Sequence, residues 1–323
     1  MALLVLFIAG GAGVALFSPG PPARRGKATD VVLSAGARLP AIAGQLGRAG
    51  VVRSPLLFMI AAEASGSARS LKAGEYSFQS RDSLAAVMNA VRAGRVVRHF
   101  VTIPEGLTSA QTVAILDRAA ELSGPAPMPP EGSLLPETYE VSLGESRAHV
   151  LARMRAARDA LLARLWARRP PGLTYRSPEQ AVILASIVEK ETALANERPH
   201  IARVFLNRLD KGMRLESDPT VVYGLTGGTP LGHGLKVSEL RDRTPYNTYF
   251  IAGLPPTPIA NPGRAALEAA LDPTPSADLY FVANGTGGHV FSATLEDHLR
   301  NVARWRSIEQ ARAALPAHGP VNR

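Results

Sequence analysis

One helix constrains this chain more than any other feature. Residues 177–197 read SPEQAVILASIVEKETALANE. At about 100° per residue, Ala181, Leu184, Ala185, Val188 and Thr192 fall on one side. Val182, Ile183 and Ile187 cover much of the rest, so the helix is apolar almost all round. Such a helix is stable only when other elements enclose it. It nonetheless ends in Glu189-Lys190-Glu191. Glu191 sits at the edge of the apolar stripe beside Leu184 and Ile187, and Glu189 lies ~200° away, so the two carboxylates cannot share a face. Their surroundings, and therefore their protonation, must differ. Pairing with Arg198 or Arg203 is the ordinary fate of such carboxylates, and a carboxyl held in a cleft is the other. Ser177, Pro178 and Gln180 predict an N-terminal capping box. Lys190, opposite the stripe, is expected in solvent.

The flanking segments predict an α+β chain. Residues 30–52 read as strand, Gly turn and helix, with Gly50 as the stop. Ser54 and Pro55 open a second helix, LKAGEYSF is a short strand, and SLAAVMNAVRAG is a helix closed by Gly94. VVRHFVTIPEG returns as a strand. VVLSAGARLPAIAGQLGRAG and FVTIPEGLTSAQTVAILDRAA echo one another, Gly36 matching Gly106, and predict two similar small units. Residues 123–133 form a Pro/Gly-rich connector. Residues 147–169 form a long amphipathic helix with Val150, Met154, Leu161, Leu162 and Leu165 inward and its arginines in solvent.

Composition narrows the functions. There is no cysteine, which excludes disulfides, thiolate metal sites and cysteine nucleophiles. The net charge of +9 suits an anionic partner, but no basic block or nucleic-acid motif accompanies it, so nucleic acid is not expected. The seven histidines form no HExxH pair, and GTGGH lacks the ending of a phosphate loop. No metal or cofactor is expected. Residues 2–17 carry no charge and span ~24 Å as a helix. They are read as a membrane anchor within residues 1–20 rather than a signal peptide, because no positive residue precedes them. Arg24, Arg25 and Lys27 follow, and by loop charge alone they belong on the cytoplasmic side.

The C-terminal half is rich in hydroxyls, amides and aromatic rings between prolines, as the lining of a sugar site would be. Residues 279–292 predict a β-hairpin. ASIVEKET, VFLNRL, GMRLESDPTVVYG, TPYNTY, GLPPTPIANPG and YFVANGTGGHVFS occur in this order. Together with LKAGEYSF, VTIPEG and LLPETYEV, they resemble the endolytic murein transglycosylases of the YceG-like family from about Val31 to Trp305.

The resemblance implies a membrane helix (residues 1–20), a linker (21–30), a LysM-like α+β subdomain (31–100), a mixed α/β lytic transglycosylase domain around the Glu-bearing helix (101–310), and a flexible tail (311–323). It implies cleavage of the MurNAc-β-1,4-GlcNAc bond of peptidoglycan to 1,6-anhydro-MurNAc ends. The body would lie outside the cytoplasmic membrane, acting on nascent glycan beside peptidoglycan synthases. It makes Glu191 the catalytic residue. One carboxyl suffices, because the sugar's own C6 hydroxyl replaces water as nucleophile. Glu189 is expected to be structural or to orient the site. Glu216, Ser217, Asp218, Thr220, Tyr223, Tyr246, Asn247, Thr248, Asn284 and His289 are candidates for glycan contact. Asp218 is equally a helix N-cap, Asn247 a support for loop backbone, and His289 a scaffold residue. Glu216 departs from the family, which often has Gln there. Facing the cleft, it would share a proton with Glu191 or repel the lactyl carboxylate. A glycoside hydrolase and a non-catalytic peptidoglycan-binding scaffold are the alternatives.

Overall fold

A computed structural model describes residue 14 and residues 16–313, so most of the expected anchor, and the tail beyond residue 313, lie outside the described residues. Among the described residues no helix is long and apolar enough to cross a membrane. The chain divides into two units. The first takes the residues up to Phe100 together with Glu140–Glu145, and the second takes Val101–Tyr139 and the residues from Ser146 onward.

In the first unit, β1 (Ala28–Leu33) pairs antiparallel with β2 (Gly74–Gln79), Val31 opposite Tyr76. Between them come α1 (Leu39–Arg48) and α2 (Pro55–Ala64), and α3 (Leu84–Ala93) follows β2. Alternate strand residues turn inward, as a half-buried sheet requires: Val31 and Leu33 from β1, Tyr76 and Phe78 from β2. They meet Ile42, Leu46, Phe58, Val87 and Val91 from the helices. The buried Tyr76 hydroxyl donates to the carbonyl of Lys72 at 2.8 Å, which satisfies its one polar atom. Ser54 and Ser83 cap their helices through Leu57 N–H and Ala86 N–H. Gly50 and Gly94 take the left-handed conformation at the helix ends, as expected from their positions.

The second unit is mainly helical. The strand foreseen before Pro104 is cut to β3 (His99–Thr102), since Pro104 has no N–H to give a ladder. There follow α4 (Ser109–Arg118), β4 (Leu122–Ser123), β5 (Thr138–Val141) and β6 (Glu145–Ser146), of which β5 and β6, like β3, run across the division between the units. Next come α5 (Arg147–Arg168), α6 (Pro178–Glu191), α7 (Arg198–Asp210), α8 (Asp218–Thr226), the single turn α9 (Val237–Leu240) and α10 (Arg264–Leu271). The antiparallel hairpin β7 (Tyr280–Ala283) and β8 (His289–Ser292) packs on α11 (Leu295–Ala313). The repeated strand-to-helix passage is real as local geometry: Gly36 and Gly106 are both left-handed, at φ 73° and 74°.

Helix α6 is enclosed as its composition demands. Every residue from Ala181 to Val188 is buried. The helix packs against α5, α7, α8 and α10, with Ile201, Phe205, Leu267 and Ala270 in the shared core. Ser186, the one hydroxyl in the run, donates to Ile183 O at 2.7 Å and accepts Ile259 N–H at 3.0 Å. The expected capping box is absent. The Ser177 hydroxyl makes no cap bond, and Gln180 reaches one residue further back to accept Arg176 N–H at 2.7 Å. Not all arginines of α5 are in solvent either. The Arg147 guanidinium is 14% exposed and donates to the carbonyls of Leu116, Asp117, Ala119 and Gly124, closing the carboxyl end of α4.

Candidate active site

Helix α6 stops at Glu191, and the next residue, Thr192, is extended. The Glu191 side chain lines a cavity of about 290 Å³ with Arg208, Leu215, Glu216, Asp218, Tyr249, Phe281 and His298. Its carboxylate oxygen accepts a short hydrogen bond from the Ser217 hydroxyl. Burial pushes the Glu191 carboxyl up to about 7, and Asp218 repels its charge in the same direction. The Ser217 bond and Arg208 work against this, and burial wins.

Ser217 is itself held in place. Its N–H donates to Thr248 Oγ1 at 2.9 Å, and Thr220 Oγ1 donates to its carbonyl at 2.6 Å. Thr220 and Thr248 join through their hydroxyls at 2.9 Å. Both threonines are fully buried, so the structure makes them supports of Ser217 rather than glycan contacts. Asn247, a glycan candidate by its sequence, likewise serves the fold. It is fully buried, donates to the carbonyls of Leu240 and Asp242, and accepts Tyr249 N–H, so it carries loop backbone.

Arg208 organises the opposite wall. It donates to Leu279 O at 2.6 Å and Leu215 O at 2.9 Å, and it pairs with Glu216 at 3.2 Å. Glu216 holds the left-handed conformation at φ 52°, an uncommon state for a residue with a side chain. That turn places its carboxylate on the cavity wall beside Arg208. Asp218 accepts from the Tyr249 hydroxyl at 2.7 Å and makes no side-chain cap on α8. Burial and this bond push the Tyr249 hydroxyl well above its usual value, so it remains a donor. His298 stacks on Tyr280 with ring centres 5.0 Å apart, and burial and Arg208 hold its imidazole below the usual value, hence neutral.

The other carboxylate of the helix end has no access to this chemistry. Glu189 accepts from Arg198 at 2.8 Å and from Gly263 N–H at 2.9 Å, and Arg198 also meets Glu105 at 3.5 Å. Burial raises the Glu189 carboxyl, while Gly263 and Arg198 oppose that rise. This is the structural pairing foreseen with Arg198.

A second cavity, of about 320 Å³, adjoins the first through Asp218. Tyr223 lines it, and the Tyr223 hydroxyl donates to Glu131 at 3.3 Å. Glu131 also takes the Ser109 N–H and Asn261, and burial raises its carboxyl. The Tyr246 ring packs edge-on to Tyr223, its hydroxyl bonded to Thr257 at 2.8 Å. Asn284 and His289 line neither cavity. Asn284 Oδ1 accepts Thr286 N–H and Gly288 N–H, which sets the hairpin turn. His289 meets Glu197 through Nδ1 at 2.7 Å and through its backbone N–H at 2.8 Å. Burial alone would raise the Glu197 carboxyl, but these bonds and the His289 charge hold it below the usual range. The Glu197–His289 bridge therefore fastens the hairpin to the start of α7.

Arg208, Leu215, Tyr249, Phe281 and His298 line the Glu191 cavity without having been singled out from the sequence. A signal existed for two of them. Arg208 interrupts the apolar VFLNRL segment, and Tyr249 ends the TPYNTY motif whose preceding residues were chosen instead. Leu215, Phe281 and His298 carry no local mark.

A family model described as YceG-like matches residues 31–304. Two curated relatives, from two strains of Streptococcus pneumoniae, are named endolytic murein transglycosylase and are 30% identical over 86% of this chain. The chain spans 58% of their length. A Bacillus subtilis protein of the same name is 43% identical over 122 residues, 38% of this chain and 33% of that protein. A crystal structure of a YceG-like protein from Listeria monocytogenes superposes with a TM-score of 0.53 at 29% identity. That match covers 85% of this chain and 98% of that one.

Proposed function

This chain belongs to the YceG-like family, and we propose that its second unit is a peptidoglycan lytic transglycosylase with Glu191 as the catalytic acid and base. One observation carries the reading. A carboxyl at the end of a buried helix opens into a polar cavity, bonded to a single hydroxyl and pushed up to about 7. It is therefore substantially protonated near neutral pH and able to give a proton to a leaving oxygen.

The reaction needs nothing further from the protein as nucleophile. Glu191 protonates the glycosidic oxygen between MurNAc and GlcNAc as that bond breaks. The resulting carboxylate then takes the proton of the muramyl C6 hydroxyl, whose oxygen closes on C1 to give the 1,6-anhydro end. The attack is intramolecular, so its entropic cost is small. Ser217 donates to the carboxylate form and thereby holds its orientation through both proton transfers. The neighbouring carboxylates are engaged elsewhere, Glu216 with Arg208 and Asp218 with Tyr249, which favours one-carboxylate lysis over two-carboxylate hydrolysis.

The strand–helix–helix–strand order of the first unit supports the reading of residues 31–100 as a LysM-like glycan-binding part. Anchoring by residues 1–20 to the outer side of the cytoplasmic membrane, and work beside peptidoglycan synthases to end chain elongation, complete the proposal. Muropeptide mass analysis of sacculi digested with this chain tests the reaction. Anhydro-MurNAc ends support it, reducing MurNAc ends convert it to a hydrolase, and binding without cleavage by the folded chain leaves a scaffold.

A further inference from the structure

We propose that the second cavity holds the sugar adjoining the scissile bond, and that Lys190 on its wall pairs with the carboxylate borne by a muramyl 3-O-substituent. The proposal rests on the lytic reading above and extends it from reaction to recognition.

Lys190 and Glu191 are consecutive residues of α6, so their side chains leave the helix about 100° apart. Glu191 lines the first cavity and Lys190 the second. The last turn of α6 is thus a wall common to both, and Asp218 at the start of α8 lines both as well. A glycan strand cut in its interior must continue past the catalytic carboxyl, and the second cavity is where this surface receives it.

The lining of the second cavity suits a pyranose. Pro219, Val222, Tyr223, Pro230 and Ile259 offer apolar faces for the C–H side of a ring. Lys190 is exposed. Its ammonium donates to Gly106 O at 3.3 Å, and among the described residues no carboxylate stands within ion-pair distance of it. Its field reaches Glu189, but that carboxylate already holds Arg198 and Gly263 N–H. The first cavity is different. Its one lining cation, Arg208, is committed to Glu216, while Asp218 borders both cavities alike. An anionic substituent finds no uncommitted cation there and meets Lys190 in the second cavity.

The test uses the full chain carrying Glu191→Gln, which binds without turnover. Isothermal titration compares three tetrasaccharides: peptide-free muramyl glycan, the same strand bearing stem peptides, and uncharged chitotetraose. Adding Lys190→Gln is expected to weaken muramyl binding roughly fivefold at low salt, less at high salt, with chitotetraose unaffected. Lys190→Arg should retain the affinity, and Val222→Trp, which fills the cavity, should weaken all three. A loss largest for peptide-free strands assigns the lactyl carboxylate, and one confined to peptide-bearing strands assigns a stem-peptide carboxylate. Unchanged muramyl affinity in Lys190→Gln, or unchanged affinity in Val222→Trp with melting temperature preserved, overturns the proposal. Absence of anhydro ends from the unsubstituted chain, with the Lys190 discrimination intact, overturns the lytic reaction and leaves the subsite supported.

Discussion

Glu189 and Glu191 stand two residues apart on one helix, and both are driven upward by burial. Glu189 is answered by Arg198 and a backbone N–H, and it closes a structural joint between α6, α7 and the start of α10. Glu191 receives one hydroxyl bond and a cavity in place of a cation. A buried carboxylate with a full set of partners serves structure, whereas one left short of partners beside an opening keeps its proton near neutral pH and is available for the proposed transfers. The helix supplies the same cost to both, and the neighbours decide what each becomes.

Four substitutions test that contrast. The largest effect is expected from Glu191→Gln, which should lower formation of anhydro ends by a factor of ~10³ while the chain stays folded, since a general acid contributes about 10²–10⁴. Loss of activity in Glu189→Gln of the same size, per folded molecule, would erase the distinction. Glu189→Ala should instead act on stability. It leaves Arg198 buried with only the more distant Glu105, and denaturant unfolding should show a loss of about 3 kcal/mol.

The third test is the pH dependence of the Glu191→Gln stability change. The folded Glu191 value lies above the ordinary one, so the folded chain binds more protons than the unfolded chain between the two. Below about 4.5 both states are protonated and the carboxyl costs nothing; as pH rises through about 7 that stability is lost. Glu191→Gln should therefore be near neutral at pH 4 and stabilising by about 2 kcal/mol at pH 8, allowing for the open side of the cavity. A gain independent of pH would mean Glu191 is not held neutral. The smallest effect belongs to Ser217→Ala. Removing a donor to the carboxylate raises the Glu191 value further, so the alkaline limb of the activity profile should move up by about one pH unit, with roughly tenfold lower turnover from lost orientation. A downward move would show that Ser217 supports the protonated form.

Some of this site was legible and some was not, and the division is physical. Glu191 stood out because a carboxylate ending an apolar helix must be explained locally, whichever way the chain folds. Ser217 and Asp218 were foreseen beside it through their motif, although the single bond from Ser217 to Glu191 was not. Thr220, Asn247 and Thr248 looked like sugar ligands because they carry the right groups, but polar side chains serve buried backbone as readily as substrate. Arg208 and His298 come from helices whose sequence separation from Glu191 hides their convergence.

Helical periodicity, Gly stops and Ser caps depend on neighbours a few residues apart, so α1 to α6, the two hairpin strands at the end and the burial of α6 could be read from the chain alone, whereas α9, α10 and α11 were not foreseen. Its ordered motifs likewise determined the family. Which carboxylate is paired, which hydroxyl reaches Glu191, and that Lys190 and Glu191 face two adjoining cavities were decided only in three dimensions. Desolvation and hydrogen bonding act between groups brought together across the fold, and no local spacing in the chain encodes them.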